Sequence, residues 1–275
     1  MNNEAILVIT RGYHVGLRVD LNLNSPELIL GREESLTICI SDDSVSRHHC
    51  RIFVNEHGWH VEDLNSMNGT FVNGHKVSRA PLRNQDMVKV GSEIICFLQG
   101  DNIQTEFHNL VYRLAVYDSL TQVHNQTFLT DFTAREFARA KRHQRHLALM
   151  LFDVDDLSGI NEKMGTMTGD HVLITIANRL SQRIRREELL ARFSDDCFAI
   201  VLPETTLEGA QKFADIVRQN IGATPMQFEG VNINVSVGVG IGFFHPEMSE
   251  VSELVKEAQS ALFRAKQTGM GQVSF

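Results

Sequence analysis

Apolar and polar positions follow two different rhythms along this chain. From residue 5 to 98, short apolar and β-branched runs (ILVIT, LRVDL, ELILG, LTICI, CRIFV, WHVEDL) are separated by turn residues. His57-Gly58, Asn68-Gly69 and Asn73-Gly74 mark tight turns. An Asn-Gly pair between apolar runs predicts a hairpin, because both central positions need φ > 0. Many short strands at regular spacing predict an all-β sandwich over residues 1–100. Over 101–121 the period lengthens: Phe107, Leu110, Val111, Leu114 and Val116 form an approximate helical stripe, read as a connecting helix. Residues 122–275 alternate helix and strand. Helices are expected at 126–144, 170–186, 207–220 and 251–268, and strands at 147–154 (LALMLFDV), 198–203 (FAIVLP) and 231–244 (VNINVSVGVGIGFF). That alternation predicts an α/β or α+β domain whose sheet, containing antiparallel pairs, is covered by helices.

The bulk numbers narrow the classes. A length of 275 residues suggests two domains, and 43% hydrophobic with 22% charged residues is ordinary for a globular chain. A net charge of −8 argues against a general nucleic-acid partner. No run of about 18 apolar residues exists, so no membrane span is expected. The start, MNNEAILVITRG, lacks a basic segment and a long apolar run, so no signal peptide is expected. Cys39, Cys50, Cys96 and Cys197 form no CxxC pair, which suits a reducing cytoplasm and no zinc site.

Four pieces of the first half carry chemistry in order: Gly31-Arg32, SRHH (46–49), DLNSMNGTFVNG (63–74) and VKVGSEIICFL (88–98), the last read as one strand. A phosphothreonine carries nearly two charges and three acceptor oxygens, so a reader needs a fixed cation and neutral donors. Arg32 supplies a planar fork of donors, Ser46 and Ser66 supply hydroxyls, and Asn68 an amide. Taken singly, Arg32 beside Glu33 and Glu34 could be a surface ion pair, and Asn68 a turn residue. The ordered set resembles the forkhead-associated (FHA) domain. The resemblance implies that Arg32, Ser46, Ser66 and Asn68 hold a phosphopeptide, that Arg47 adds charge, and that His49 packs the loops. The ligand would be a partner protein or a phosphorylated segment of this chain itself, Thr10 being one candidate.

The second half carries DSLTQVHN (118–125), FDVDDLSGINEKMGTMTGDHVL (152–173) and ARFSDDCFAIVLP (191–203). These resemble the GGDEF (diguanylate cyclase) family, with SDDCF where the signature stands. The resemblance implies metal positions at Asp153 and Asp196, guanine-reading residues at Asn161 and Asp170, and a phosphate-binding Lys266. Several positions depart from the pattern: Ser194 and Asp195 replace glycines, Cys197 an acid, Ser158 a lysine, Thr166 a frequent histidine and Met270 an arginine. Asp195 sets a charge beside anionic phosphates, a repulsion of about 3–4 kcal/mol at an intermediate dielectric. Catalysis is therefore not expected, and the metal positions are expected to stand empty. No cofactor is expected to be required, and magnesium only if residual GTP binding survives. For Asp153, Asp155 and Asp156 the plainer alternative is a solvated acidic loop.

Just upstream, RIRREELLARF (183–193) places Arg185 and Glu188 as RxxE, where members often carry an RxxD site for the product, cyclic di-GMP. Arginine can stack on guanine and bond its O6/N7 edge, while a carboxylate accepts from N1–H and the amine. Arg139 falls at a matching position for a second arginine, and Arg218 lies near another. An exposed helix end laced with weak ion pairs would carry the same letters.

The sequence therefore predicts a non-enzymatic, cytoplasmic bacterial signalling adaptor. It would bind phosphothreonine through its first half and cyclic di-GMP through Arg185, Glu188, Arg139 and Arg218. A homodimer is compatible, since active members join two GTP molecules, one per protomer. The alternatives are a slow cyclase gated by phosphorylation and a protein-binding scaffold with an inert second half.

Overall fold

A computed structural model describes residues 5–12, 14–22 and 27–275. The chain divides into two compact units, 1–114 and 115–275.

The first unit is two sheets. One runs Arg18–Leu21 (β2), Ala5–Arg11 (β1), Glu93–Gln99 (β11), Met87–Val90 (β10), Thr70–Val72 (β7) and His75–Val77 (β8). The other runs Ile38–Cys39 (β4), Glu27–Gly31 (β3), Cys50–Asn55 (β5), Gly58–Asp63 (β6) and Arg79–Pro81 (β9). Alternate residues of both sheets, among them Leu30, Ile52, Trp59, Val61, Val88, Ile95 and Phe97, form one buried core. Of the three turn pairs, Asn73 (φ 50°) and Gly74 (φ 83°) are both left-handed and close the β7–β8 hairpin. At the other two pairs only the glycine has positive φ (Gly58 102°, Gly69 83°). The stretch 88–98 is two strands rather than one, because Gly91 (φ 60°) turns the chain back on itself. Thr10 sits in β1 at an irregular step, 6% exposed, and its hydroxyl donates to the Ile94 carbonyl (3.1 Å). That burial removes it as a candidate phosphoacceptor on the folded chain.

The connecting helix, α1 (Ile103–Val116), is shorter than expected. Ile103 and Leu110 pack against Ile6, Val8, Cys96 and Leu98, the outward face of β1 and β11. The DSLT segment beyond it is a turn, with Asp118 accepting from the Thr121 amide (2.8 Å).

The second unit is built around Leu147–Val154 (β12), which lies inside the sheet Leu189–Arg192 (β13), Cys197–Pro203 (β14), β12, Val237–Phe243 (β17), Val273–Ser274 (β18). All pairs are antiparallel except β17–β18. Period-two alternation sends Ala148, Met150 and Phe152 to one face and Leu147, Leu149 and Leu151 to the other. Helices α4 (Thr166–Ser181) and α5 (Leu207–Gly222) cover the first face; α2 (Gln126–His143) and α6 (Val251–Thr268) cover the second. Helix α3 (Leu157–Met164), the short β13 and the hairpin of Met226–Phe228 (β15) with Val231–Ile233 (β16) were not expected. The hairpin splits the run read as one strand over 231–244.

Glycines decide how α6 sits. On β17, a Cβ at Gly240 would collide with the Leu262 backbone, and one at Gly242 with the Leu254 carbonyl. Ala258, Ala261 and Ala265 on α6 are fully buried at this close approach. At Gly238, next in the stripe, an added Cβ would come within 3.4 Å of the methylenes of Lys266.

Candidate functional site

In the first unit, close backbone packing places the cation. A Cβ on Gly31 would meet the Arg47 carbonyl, so only glycine lets β3 end beside that loop. The Arg32 amide then donates to the Ser46 carbonyl (3.0 Å), which fixes Arg32 next to Ser46. His49 is fully buried. Its Nδ1 accepts from the Ser46 amide (3.1 Å), so its Nε2–H donates to the Gly69 carbonyl (3.1 Å). One imidazole thus ties the Ser46 loop to the Asn68-Gly69 loop, the loop-packing role expected of it. The Ser46 hydroxyl accepts from the Met67 amide (3.0 Å), leaving its proton to donate outward. Ser66 differs: its hydroxyl donates to Asp63 (2.5 Å) and accepts from the Gly69 amide (2.9 Å), so it builds the loop. Burial works against an ionised Asp63, but hydrogen bonds from Ser66 and Thr70 outweigh it and hold the carboxyl below its ordinary value. Arg32, Arg47 and Asn68 are exposed. Asn68 donates to the Ser44 carbonyl (2.7 Å), and Arg32 pairs with Asp43 (2.9 Å).

In the second unit, the end of β12 meets the signature turn. Asp153 pairs with Cys197 across β12 and β14, and the Val154 amide donates to the Asp196 carbonyl (3.1 Å). The Lys266 ammonium bonds the Asp153 carboxylate and lies 3.5 Å from Asp155 and 3.4 Å from the Val154 carbonyl. Asp155 is 8% exposed rather than solvated; it accepts from the Ser236 hydroxyl (2.6 Å) and the Gly271 amide (2.9 Å). Burial raises Asp153 further than Lys266 lowers it. Lys266 is raised, because its carboxylate partners outweigh the burial that opposes its charge. Burial, reinforced by Asp153 and Asp196, pushes the Cys197 thiol far up, so it stays neutral.

The turn itself is held by a residue that sequence reasoning missed. Arg192 donates from Nε to the Ser194 carbonyl (3.1 Å), from Nη2 to the Asp195 carbonyl, and from Nη1 to Asp118 (3.2 Å). Its side chain is 12% exposed and lies over Phe198. The signal was present as the arginine two residues before the signature, paired with the aspartate of DSLT.

A separate cleft of about 400 Å³ opens between the end of α2, the 185–188 turn and the end of β14. Arg139, Arg185 and Glu188 line it with Phe132, Arg186 and Glu204. Glu188 (side chain 7% exposed) accepts from the Arg185 amide (2.8 Å), closing its own turn. Arg185 is 75% exposed, its guanidinium 3.9 Å from that carboxylate. Arg139 lies 3.7 Å from Glu136 and 3.8 Å from Glu204. Arg218 does not line the cleft; it sits on α5 beside Asp215 (3.6 Å). The structure therefore gathers three of the four residues expected to meet cyclic di-GMP.

The family model described as diguanylate cyclase, GGDEF domain, matches residues 115–272. This chain belongs to the GGDEF family. The FHA domain model matches residues 28–91. The GGDEF unit is similar to the diguanylate cyclase DgcP of Pseudomonas aeruginosa, 36% identical over 56% of this chain and 23% of that protein. A diguanylate cyclase of Vibrio cholerae is 32% identical over 60% of this chain and 50% of its own length. The chain thus spans at most half of these curated relatives. Among solved structures, the GGDEF domain of TpbB (YfiN) from Pseudomonas aeruginosa is 28% identical with a TM-score of 0.55, covering 58% of this chain and 94% of that one. The GGDEF domain of DgcB from Caulobacter crescentus, solved with c-di-GMP, shares the fold at 22% identity and a TM-score of 0.56, covering 58% of this chain and 92% of its own.

Within the GGDEF unit, the two residues expected to read guanine fall on successive helices. Asn161 is on α3 with its side-chain oxygen buried against Gly169, and Asp170 lies on α4. Among the described residues, no helix is long and apolar enough to cross a membrane.

Proposed function

We propose that this protein is a non-catalytic receptor and adaptor, binding cyclic di-GMP at the RxxE cleft and a phosphothreonine segment at the FHA loops. The observation that carries the reading is the cleft. It brings Arg139 and Arg185 to one opening of about 400 Å³, with Arg185 exposed and free to stack on a guanine. Glu188 has a second carboxylate oxygen besides the one in its turn bond, 3.9 Å from the Arg185 guanidinium, and a base edge would reach it as that arginine moves onto the ligand.

The signature region supports the absence of catalysis. Two-metal chemistry needs hard oxygen ligands around divalent cations. Here Asp153 is bonded by an ammonium, Asp155 is committed to Ser236 and Gly271, and a neutral thiol stands where an acid would. These residues suit a magnesium clamp poorly. Ser194 and Asp195 also add side chains at an exposed turn where phosphates would approach its backbone.

Calorimetric titration of cyclic di-GMP into nucleotide-free protein tests the reading. Micromolar or tighter binding, lost in Arg185→Ala, is the expected result. No binding overturns the receptor assignment and favours the inert scaffold. Incubation with GTP and magnesium is expected to give no product by chromatography. Product that disappears in Asp153→Ala overturns the non-catalytic reading.

A further inference from the structure

The phosphopeptide loops carry their own anion. Arg32, the cation expected to meet a phosphate, is bonded to Asp43 at 2.9 Å. The segment SDDSVS (41–46) that supplies Asp43 is otherwise firmly anchored. Asp42 accepts from the Ser44 amide (2.8 Å) and from the Ser92 hydroxyl and amide, which staples the turn to the β10–β11 bend. The Val45 amide donates to the Asp42 carbonyl (2.9 Å) and closes the turn. Asn68 holds the Ser44 carbonyl, and Ser46 holds the Met67 amide. Asp43 is left at the apex, its side chain fully exposed, with Arg32 as its ion-pair partner. Backbone bonds set its position, and one ion pair sets its rotamer.

We propose that Asp43 is an affinity-setting residue of this site: a resident carboxylate on Arg32 that every ligand must displace. This rests on the phosphopeptide reading above. A phosphothreonine brings nearly two charges and three acceptor oxygens, so it outcompetes a single carboxylate for the guanidinium fork. An aspartate or glutamate in a peptide offers only what Asp43 already gives. The displacement cost is common to acidic and phosphorylated segments, so it lowers both affinities by one factor, and the preference for phosphothreonine comes from its extra charge and acceptors. Displacement is cheap, because an exposed pair of this kind contributes little. Asn68 plays a matching part: its amide rests on the Ser44 carbonyl until a peptide backbone replaces it.

The test uses the full chain and two labelled, degenerate peptide mixtures, one with a fixed phosphothreonine and one with glutamate in its place. Binding is read by fluorescence anisotropy for wild type, Asp43→Asn, Asp43→Ala and Arg32→Ala. Asp43 is exposed, so its variants are expected to melt with the wild type. Both should bind the phosphothreonine mixture roughly two- to fivefold more tightly, the range a surface ion pair spans. Both should bind the glutamate mixture more tightly by the same factor, still well below the phosphothreonine mixture, so the ratio of the two affinities is unchanged. Unchanged or weaker binding in both, with wild type and Arg32→Ala behaving as reader and non-reader, overturns the role of Asp43 alone. No binding by wild type overturns the phosphopeptide reading, and this proposal with it.

Discussion

Two arginines seven residues apart, Arg185 and Arg192, sit at either end of one short stretch of the GGDEF unit and meet opposite surroundings. Arg192 is 12% exposed and donates to two carbonyls and a carboxylate. Arg185 is 75% exposed, and its guanidinium has one carboxylate 3.9 Å away. A guanidinium has five donors. Saturated by backbone acceptors, it becomes part of the scaffold; left open at the mouth of a cleft, it keeps donors for the ligand contact proposed above. Lys266 extends the lesson. Its charge is already answered by Asp153 and Asp155, so it too is spent within the fold. The same residue chemistry thus serves fold or ligand, according to how many acceptors the backbone delivers.

The sharpest way to break this contrast is to truncate each arginine. Arg185→Ala should weaken cyclic di-GMP binding about 30- to 150-fold, the loss of charge-assisted hydrogen bonds totalling about 2–3 kcal/mol, with the melting temperature unchanged. Arg192→Ala should do the reverse. It removes the arginine donor from two turn carbonyls and from Asp118, which keeps its bonds from Thr121, lowering stability by about 2 kcal/mol, or about 5 °C in a thermal melt. If either variant shows the other's phenotype, the division between scaffold and ligand contact fails.

Glu188→Gln sharpens the cleft side. The amide oxygen can still accept from the Arg185 amide, so the turn survives and only the charge is lost. Calorimetry should show cyclic di-GMP binding weakened about three- to tenfold, below the Arg185 effect, because one hydrogen bond loses its charge rather than disappearing.

The two units should also diverge in acid. The Asp63 carboxyl is held below its ordinary 3.8 in the folded state, so its contribution is present above that value and lost as pH falls through the lowered one. Asp153 is raised when folded, so its cost is relieved as pH falls toward 3.8. Thermal unfolding followed from pH 6 to pH 3 should show the FHA unit losing stability relative to the GGDEF unit. Asp63→Asn should flatten that dependence in the FHA unit. The smallest expected effect belongs to Arg218→Ala, which should change cyclic di-GMP affinity by less than about twofold, because Arg218 is paired with Asp215 outside the cleft.

Long periodic elements were legible in the sequence. Helix α6 and strand β12 have the bounds their patterns gave, because a stripe of Leu254, Ala258, Ala261 and Ala265, or eight successive apolar-rich residues, leaves little choice. Short elements were not. Strand β13 has four residues and α3 only two turns, so neither shows a period. Hairpins hid where one apolar run continues through a glycine, as at Gly91. The loop and cleft residues were found because ordered motifs marked them. What could not be read was which polar groups were already spent. Ser66 on Asp63, Asp155 on Gly271, Arg192 on the turn and Asp43 on Arg32 all depend on contacts between segments 3 to 116 residues apart.

The three bare positions of β17 give the second unit a built-in ruler. Gly238, Gly240 and Gly242 let α6 lie against the sheet at backbone distance, and that depth decides how far Lys266 reaches. A single methyl group at Gly240 would lift the helix and withdraw the ammonium from Asp153 in the same movement. Packing and charge are therefore not independent features that drift could alter one at a time. The place of a positive charge in this molecule is specified by the absence of side chains on a strand beneath it.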